Sequence, residues 1–228
     1  MDNLATQSIQ AMFPGIGGIS TNIGVRFLNA GGFGIFHGSD ATIGYFIVIQ
    51  TATTPNTQAY LAAEASTCYR SLGFSFSSAV YFPDASYGSG ATGTRAAVGL
   101  IATTATNIIS ADTLATAGCG FQFSTNRGDV TWQFITSDGA AQTTVNTTMT
   151  FAPLKLYQTE FSITPNGGGI NWKITNLTDN VVKSGTVSTN LPPATTGLML
   201  TSGIRTLGNT AVGGRLMRIK RLYCSTPI

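Results

Sequence analysis

Gly118 to Thr147 reads GCGFQFSTNRGDVTWQFITSDGAAQTTVNT. Phe121 and Phe123 alternate with polar neighbours, and Val130, Trp132 and Phe134 resume the alternation after a short interruption. A period of two is the pattern of a strand with one face buried. The interruptions carry turn chemistry: Asn126 to Asp129 puts Gly128 where a tight hairpin needs a positive φ. Further on, Asp138-Gly139 supplies a side chain-to-backbone bond and a second residue free to take positive φ. Three strands joined by two tight reversals predict an antiparallel sheet. The first reversal also spells Arg127-Gly128-Asp129, the tripeptide of many adhesion ligands. A three-letter match arises by chance in roughly a few per cent of chains this long, so it is read first as a turn.

The composition extends this reading to the whole chain. Of 228 residues, 43% are hydrophobic and 9% charged, against about 25% charged in ordinary soluble domains. The solvated surface must therefore come from Thr, Ser, Asn, Gln and Gly. Thr alone, with 35 copies, outnumbers the 21 charged residues, and its branched Cβ suits a half-exposed strand. Short apolar or alternating runs recur from Val25 onward, as in GYFIVIQTA, RSLGFSFSSAVYF, RAAVGLIATT, TEFSIT and GINWKIT. In RSLGFSFSSAVYF the alternation runs through Leu72, Phe74 and Phe76 and resumes at Val80 and Phe82. Turn clusters such as PDASYGSG, TPNGGG and LTDN separate the runs, the pattern of a sandwich or barrel. One stretch, TQAYLAAEASTCYRSL, is ambiguous in pattern and leaves a helical turn or two open.

Residues 1–24 read as an extended N-terminal arm and residues 25–228 as the sandwich body. In the arm, Pro14 and the three glycines of FPGIGGIS forbid a stable helix, yet Leu4, Ile9, Met12, Phe13, Ile16 and Ile19 need an apolar surface to lie on. These six are the candidate partner contacts. No run approaches the ~18 apolar residues of a membrane-spanning helix, and the acidic, polar N-terminus lacks a secretory signal pattern. Cys68, Cys119 and Cys224 are odd in number and widely spaced, so buried free thiols are expected rather than a zinc site or a disulfide framework. The last 24 residues hold Arg205, Arg215, Arg218, Lys220 and Arg221 with no acid. A charged edge strand guarding against aggregation, or a surface for an acidic partner, would explain that bias.

The second half of the chain carries a resemblance. The quoted stretch leads to LYQTEFSIT, GINWKITN, VSTNLPPATTGLML and GGRLMRIKRLYCST in order. This series resembles the concanavalin A-like (laminin G-like) jelly-roll domain of tailed-bacteriophage virion proteins, over roughly Gly118 to Ser225. The resemblance implies an all-β, antiparallel two-sheet sandwich with a virion location and synthesis in the host cytoplasm. A compact chain without stalk or coiled coil then suggests a capsid decoration (cement) protein. Its partners would be the major capsid protein or other virion proteins, and it would act as a homotrimer clamping capsomers through arm and body. The alternative is a module of a tail fibre or baseplate that binds a host surface glycan or receptor. Its loop candidates are Asp84, Tyr87, Asn126, Arg127 and Asp129.

Catalytic chemistry finds little support. A sugar hydrolase needs two carboxylates facing one cleft, and Glu64 and Glu160 stand in no such motif. His37, the one histidine, adjoins an apolar stretch where a structural role is the ordinary reading. There is no Walker loop or metal-ligand spacing, so no enzyme activity, cofactor or metal is expected. Basic residues without interleaved aromatics argue against nucleic acid. Trp132 and Trp172 could be sugar platforms, but both sit in the apolar register of their strands and are assigned to the core.

Overall fold

The computed structural model describes residues 9–10, 25–28, 32–40, 44–63, 68–102, 108–208 and 214–226, with side chains from residue 46 onward. Among the described residues there are fifteen strands, of which β1 (Ile9–Gln10), β2 (Val25–Leu28), β3 (Gly32–Asp40), β4 (Gly44–Thr51), β5 (Gln58–Ala63), β6 (Phe74–Tyr81), β7 (Thr94–Ala102) and β8 (Ala117–Ser124) lead. They are followed by β9 (Thr131–Asp138), β10 (Gln142–Thr150), β11 (Leu156–Ile163), β12 (Ile170–Asn176), β13 (Val181–Val187), β14 (Leu198–Thr206) and β15 (Leu216–Ser225). Two antiparallel sheets form a sandwich. The first runs β13-β12-β11-β6-β15-β4-β3 with β1 added beside β15, and the second runs β10-β9-β8-β7-β14-β5-β2. Among the described residues no helix is long and apolar enough to cross a membrane.

The expected all-β jelly roll is therefore the fold, and the alternating residues do as their period requires. Trp132 and Phe134 on β9, Phe161 and Ile163 on β11 and Ile170, Trp172 and Ile174 on β12 all face the core. Edge and stacked aromatic contacts knit the sheets: Phe82 meets Trp132 at 5.7 Å and Phe151 at 4.9 Å between ring centroids, and Phe121 meets Trp172 at 6.2 Å. Such pairs add to the burial of each ring by fixing its orientation. The two tryptophans are core, as assigned.

Several expectations change. Gln58–Ala63 is strand β5, not helix, because pairing to β14 satisfies its backbone while both faces are covered. Val130 and Leu72 carry the right period but are exposed, 72% and 53%, since each falls in a turn beside the strand it was read into. The basic strand β15 lies inside its sheet, between β6 and β4, so it is no edge guard. Cys68 and Cys224 are joined by a disulfide, with Cα atoms 7.4 Å apart across 156 residues of sequence. Cys68 bridges to Leu198 of the second sheet and Cys224 lies in β15, so the link ties the sheets together. Cys119 remains a buried free thiol, as expected.

The outer face of the second sheet is covered by the chain itself. All nine residues of β7 and all eight of β8 are buried, which a two-layer sandwich does not by itself produce. The segment 108–114 lies across them. A Cβ added at Gly99 would sit 2.7 Å from Gly120 Cα and 3.0 Å from Ile108 Cδ1, and one at Gly120 would meet the same Ile108 atom at 3.0 Å. The two glycines, paired across β7 and β8, make the trough into which Ile108 fits. Arg95, Gln122 and Arg205 fasten the segment by donating to the carbonyls of Ile108, Ile109, Ser110 and Ala111.

Candidate functional site

The Arg-Gly-Asp turn is a closed unit. Gly128 N–H donates to the Thr125 carbonyl and Asp129 N–H to that of Ser124, with Gly128 at φ 76°. The Arg127 guanidinium lies flat on the Asp129 carboxylate, Nε to Oδ1 at 2.9 Å and Nη2 to Oδ2 at 2.6 Å. Its remaining Nη1 donates to the Gln122 side chain and the Asp112 carbonyl, while Asp129 also accepts from Ser124 N–H. A bidentate pair of this kind is among the stronger polar contacts and fixes both partners.

Asp112 is the hub next to it. Arg95, 5% exposed, donates Nε and Nη2 to Asp112 Oδ1 at 2.8 and 2.6 Å, and Asn126 donates to Oδ2 at 2.7 Å. Burial alone would raise this carboxyl, but donors from Ser124, Asn126 and Arg95 outweigh it and hold Asp112 below the ordinary carboxylate range. Asn126, Arg127 and Asp129 are thus brought together, around Asp112, which sequence reasoning did not single out. All their charges are answered from within the chain.

Asp84 and Tyr87 form a separate network. Asp84 accepts from Leu216 N–H at 2.8 Å, and the Tyr87 hydroxyl donates to the Leu216 carbonyl at 3.0 Å while accepting from Asp84 N–H. Tyr87 is 4% exposed. Burial raises the Asp84 carboxyl, against the pull of Leu216 N–H and Arg215. Both residues dock the start of β15 onto the loop that follows β6. The arm candidates Leu4, Met12, Phe13, Ile16 and Ile19 lie outside the described residues, as does Glu64; of Ile9 only the backbone is described, paired with Cys224.

An open site lies on the outer face of the first sheet. Strand register sets Tyr223, Ser77, Glu160 and Lys173 side by side across β15, β6, β11 and β12. The next row is Ser225, Ser75, Ser162 and Asn171, and the row before it begins with Arg221 opposite Ala79. Four strands span about 14 Å at the usual inter-strand spacing. Because the middle positions are Ser, Ser and Ala, the face dips between β15 and β12 into a groove of about 390 Å³. Glu160 and Lys173 form an ion pair along one wall, and Tyr223 and Arg221 form the other. On the floor, Ser77 is 5% exposed, and its hydroxyl has no partner among the described residues. A buried hydroxyl left without a partner costs about 1–3 kcal/mol.

No family model matches the chain, and no curated protein matches it in sequence. Solved structures do match. A protein of unknown function from Shewanella oneidensis MR-1, SO2946, superposes with TM-score 0.64 at 12% identity, covering 96% of this chain and 84% of that one. Peanut lectin gives TM-score 0.61 at 12% identity over 98% of both chains. The fold is the concanavalin A-like lectin sandwich. Lectin II from Ulex europaeus agrees, with TM-score 0.56 at 9% identity over 90% of this chain and 93% of its own. Identities this low carry the architecture alone. No group of three or more His, Cys, Asp and Glu that could hold a metal ion occurs among the described residues.

Proposed function

We propose that this chain is a non-enzymatic glycan-binding module that takes its ligand in the groove on the outer face of the first sheet. The observation that carries this is the row Tyr223, Ser77, Glu160 and Lys173. It sets an aromatic ring and a preformed ion pair at the two walls of one open depression. A sugar ring offers an apolar face for the aromatic and hydroxyls that both donate and accept. The lectin architecture of the matched structures supports a binding role, and the self-satisfied Arg127–Asp129 cluster leaves the loops little to offer. The test is a glycan array with wild-type protein and Tyr223→Ala. Selective binding that the substitution abolishes supports the groove, whereas binding undiminished in that variant places the site elsewhere.

The resemblance of Gly118 to Ser225 to phage virion domains favours a second, narrower reading. On it the module is a virion surface protein, a decoration protein clamping capsomers as a homotrimer through residues 1–24 and the sandwich body. Co-sedimentation of full-length and 25–228 protein with undecorated capsids tests it. Equal retention of the two would remove the arm from the clamp, and no retention of either would remove the decoration role.

A further inference from the structure

Resting on the glycan-binding reading, we infer that the groove selects an acidic saccharide, with the Arg221 guanidinium receiving a sugar carboxylate. The groove contains three charged side chains, Glu160, Lys173 and Arg221. Glu160 and Lys173 cancel as an ion pair, so the uncompensated charge is that of Arg221. Arg221 is exposed, and no acidic partner reaches it among the described residues. Its cross-strand neighbour is Ala79, whose small side chain leaves the guanidinium free above the groove floor.

The surroundings reinforce the sign. Lys220 sits exposed in the bulge between Ile219 and Arg221, and Arg218 lies over the rings of Phe46 and Tyr81 at 4.5 and 5.6 Å. Along the described parts of β6, β11 and β12 and at positions 220 and 221 of β15, Glu160 is the one acid beside three bases, Lys173, Lys220 and Arg221, of which Lys173 and Arg221 line the groove. A net excess of positive charge around a cleft draws in anionic ligands. A planar guanidinium also matches a carboxylate with two parallel hydrogen bonds, a geometry that a neutral hydroxyl cannot supply. The hydroxyls of Ser75 and Ser162 remain for the rest of the ring.

The experiment is calorimetric titration of the full-length protein with trigalacturonate, with sialyllactose, and with the carboxyl-reduced counterpart of each. At least one acidic sugar should bind roughly tenfold or more tightly than its reduced counterpart, as expected for one charge-assisted pair. Arg221→Gln should bring the two members of that pair to parity, Arg221→Lys should restore part of the preference, and added salt should weaken it. Equal affinity for a sugar and its reduced counterpart, or a preference that survives Arg221→Gln, would overturn the acidic specificity and leave the glycan-binding reading standing. Failure of every acidic and neutral sugar, on the array as in the calorimeter, would overturn both.

Discussion

Arg127 and Asp129 hold one another. Their side chains meet through two parallel hydrogen bonds of 2.9 and 2.6 Å within a single turn, and the Asp129 side chain is 5% exposed. A receptor that reads an Arg-Gly-Asp loop needs both ends of the tripeptide free, and here each end is the other's partner. We expect integrin-bearing cells to ignore the folded protein and to adhere to a linear peptide of residues 124–131. Asp129→Ala should lower unfolding free energy by about 3 kcal/mol, because it strands the guanidinium and the Ser124 N–H together. Urea denaturation measures that loss.

Asp112 makes stability depend on acid. Its folded carboxyl lies below the usual range, so its contribution is fully present above the unfolded pKa of about 3.9 and is lost as pH falls through the folded value. The exposed carboxyls of Asp138 and Asp179 are lowered too, by backbone N–H donors of Ala141 and Ala140 and by Lys155 respectively, and add to the same limb. Asp112→Asn should therefore be less stable than wild type at pH 7, with the gap narrowing toward pH 2. Thermal melts across that range give the comparison.

The Cys68–Cys224 bond closes a long loop between the two sheets. For a separation of 156 residues, the chain-entropy estimate is a stabilisation of about 5 kcal/mol, an upper figure. Peptide mapping without reductant should recover residues 68 and 224 in one linked fragment. Cys119, whose thiol is pushed well above the usual range by burial, should alkylate only after denaturation. Recovery of three alkylatable thiols from oxidised, denatured protein would remove the link.

The segment over β7 and β8 behaves as core. Ile108 and Ile109 are fully buried, so Ile108→Ala should cost about 2–5 kcal/mol. Gly120→Ala should be worse than that truncation, since its new methyl would press on Gly99 Cα at 2.7 Å and on Ile108 at once. Soluble expression and denaturation midpoints rank the two variants.

What the sequence determined by itself was local. Period-two runs at Phe121 to Phe134 and at Phe161 to Ile174, with Gly128 and Asp138-Gly139 between strands, required an antiparallel β-protein with Trp132 and Trp172 inside. Those signals are legible because side-chain alternation and positive φ are properties of a few consecutive residues. Where the period met a turn, as at Leu72 and Val130, local pattern alone misplaced the residue. The tertiary structure decided the rest, because it depends on which strands lie side by side. Only the order β15-β6-β11-β12 sets Tyr223, Ser77, Glu160 and Lys173, drawn from four separate segments, in one row. Only the crossing of 108–114 turns Gly99 of β7 and Gly120 of β8 into a filled trough, and only the facing of β15 to the second sheet brings Cys224 to Cys68. Register and layer stacking join residues far apart in the chain, and no short window of sequence records them.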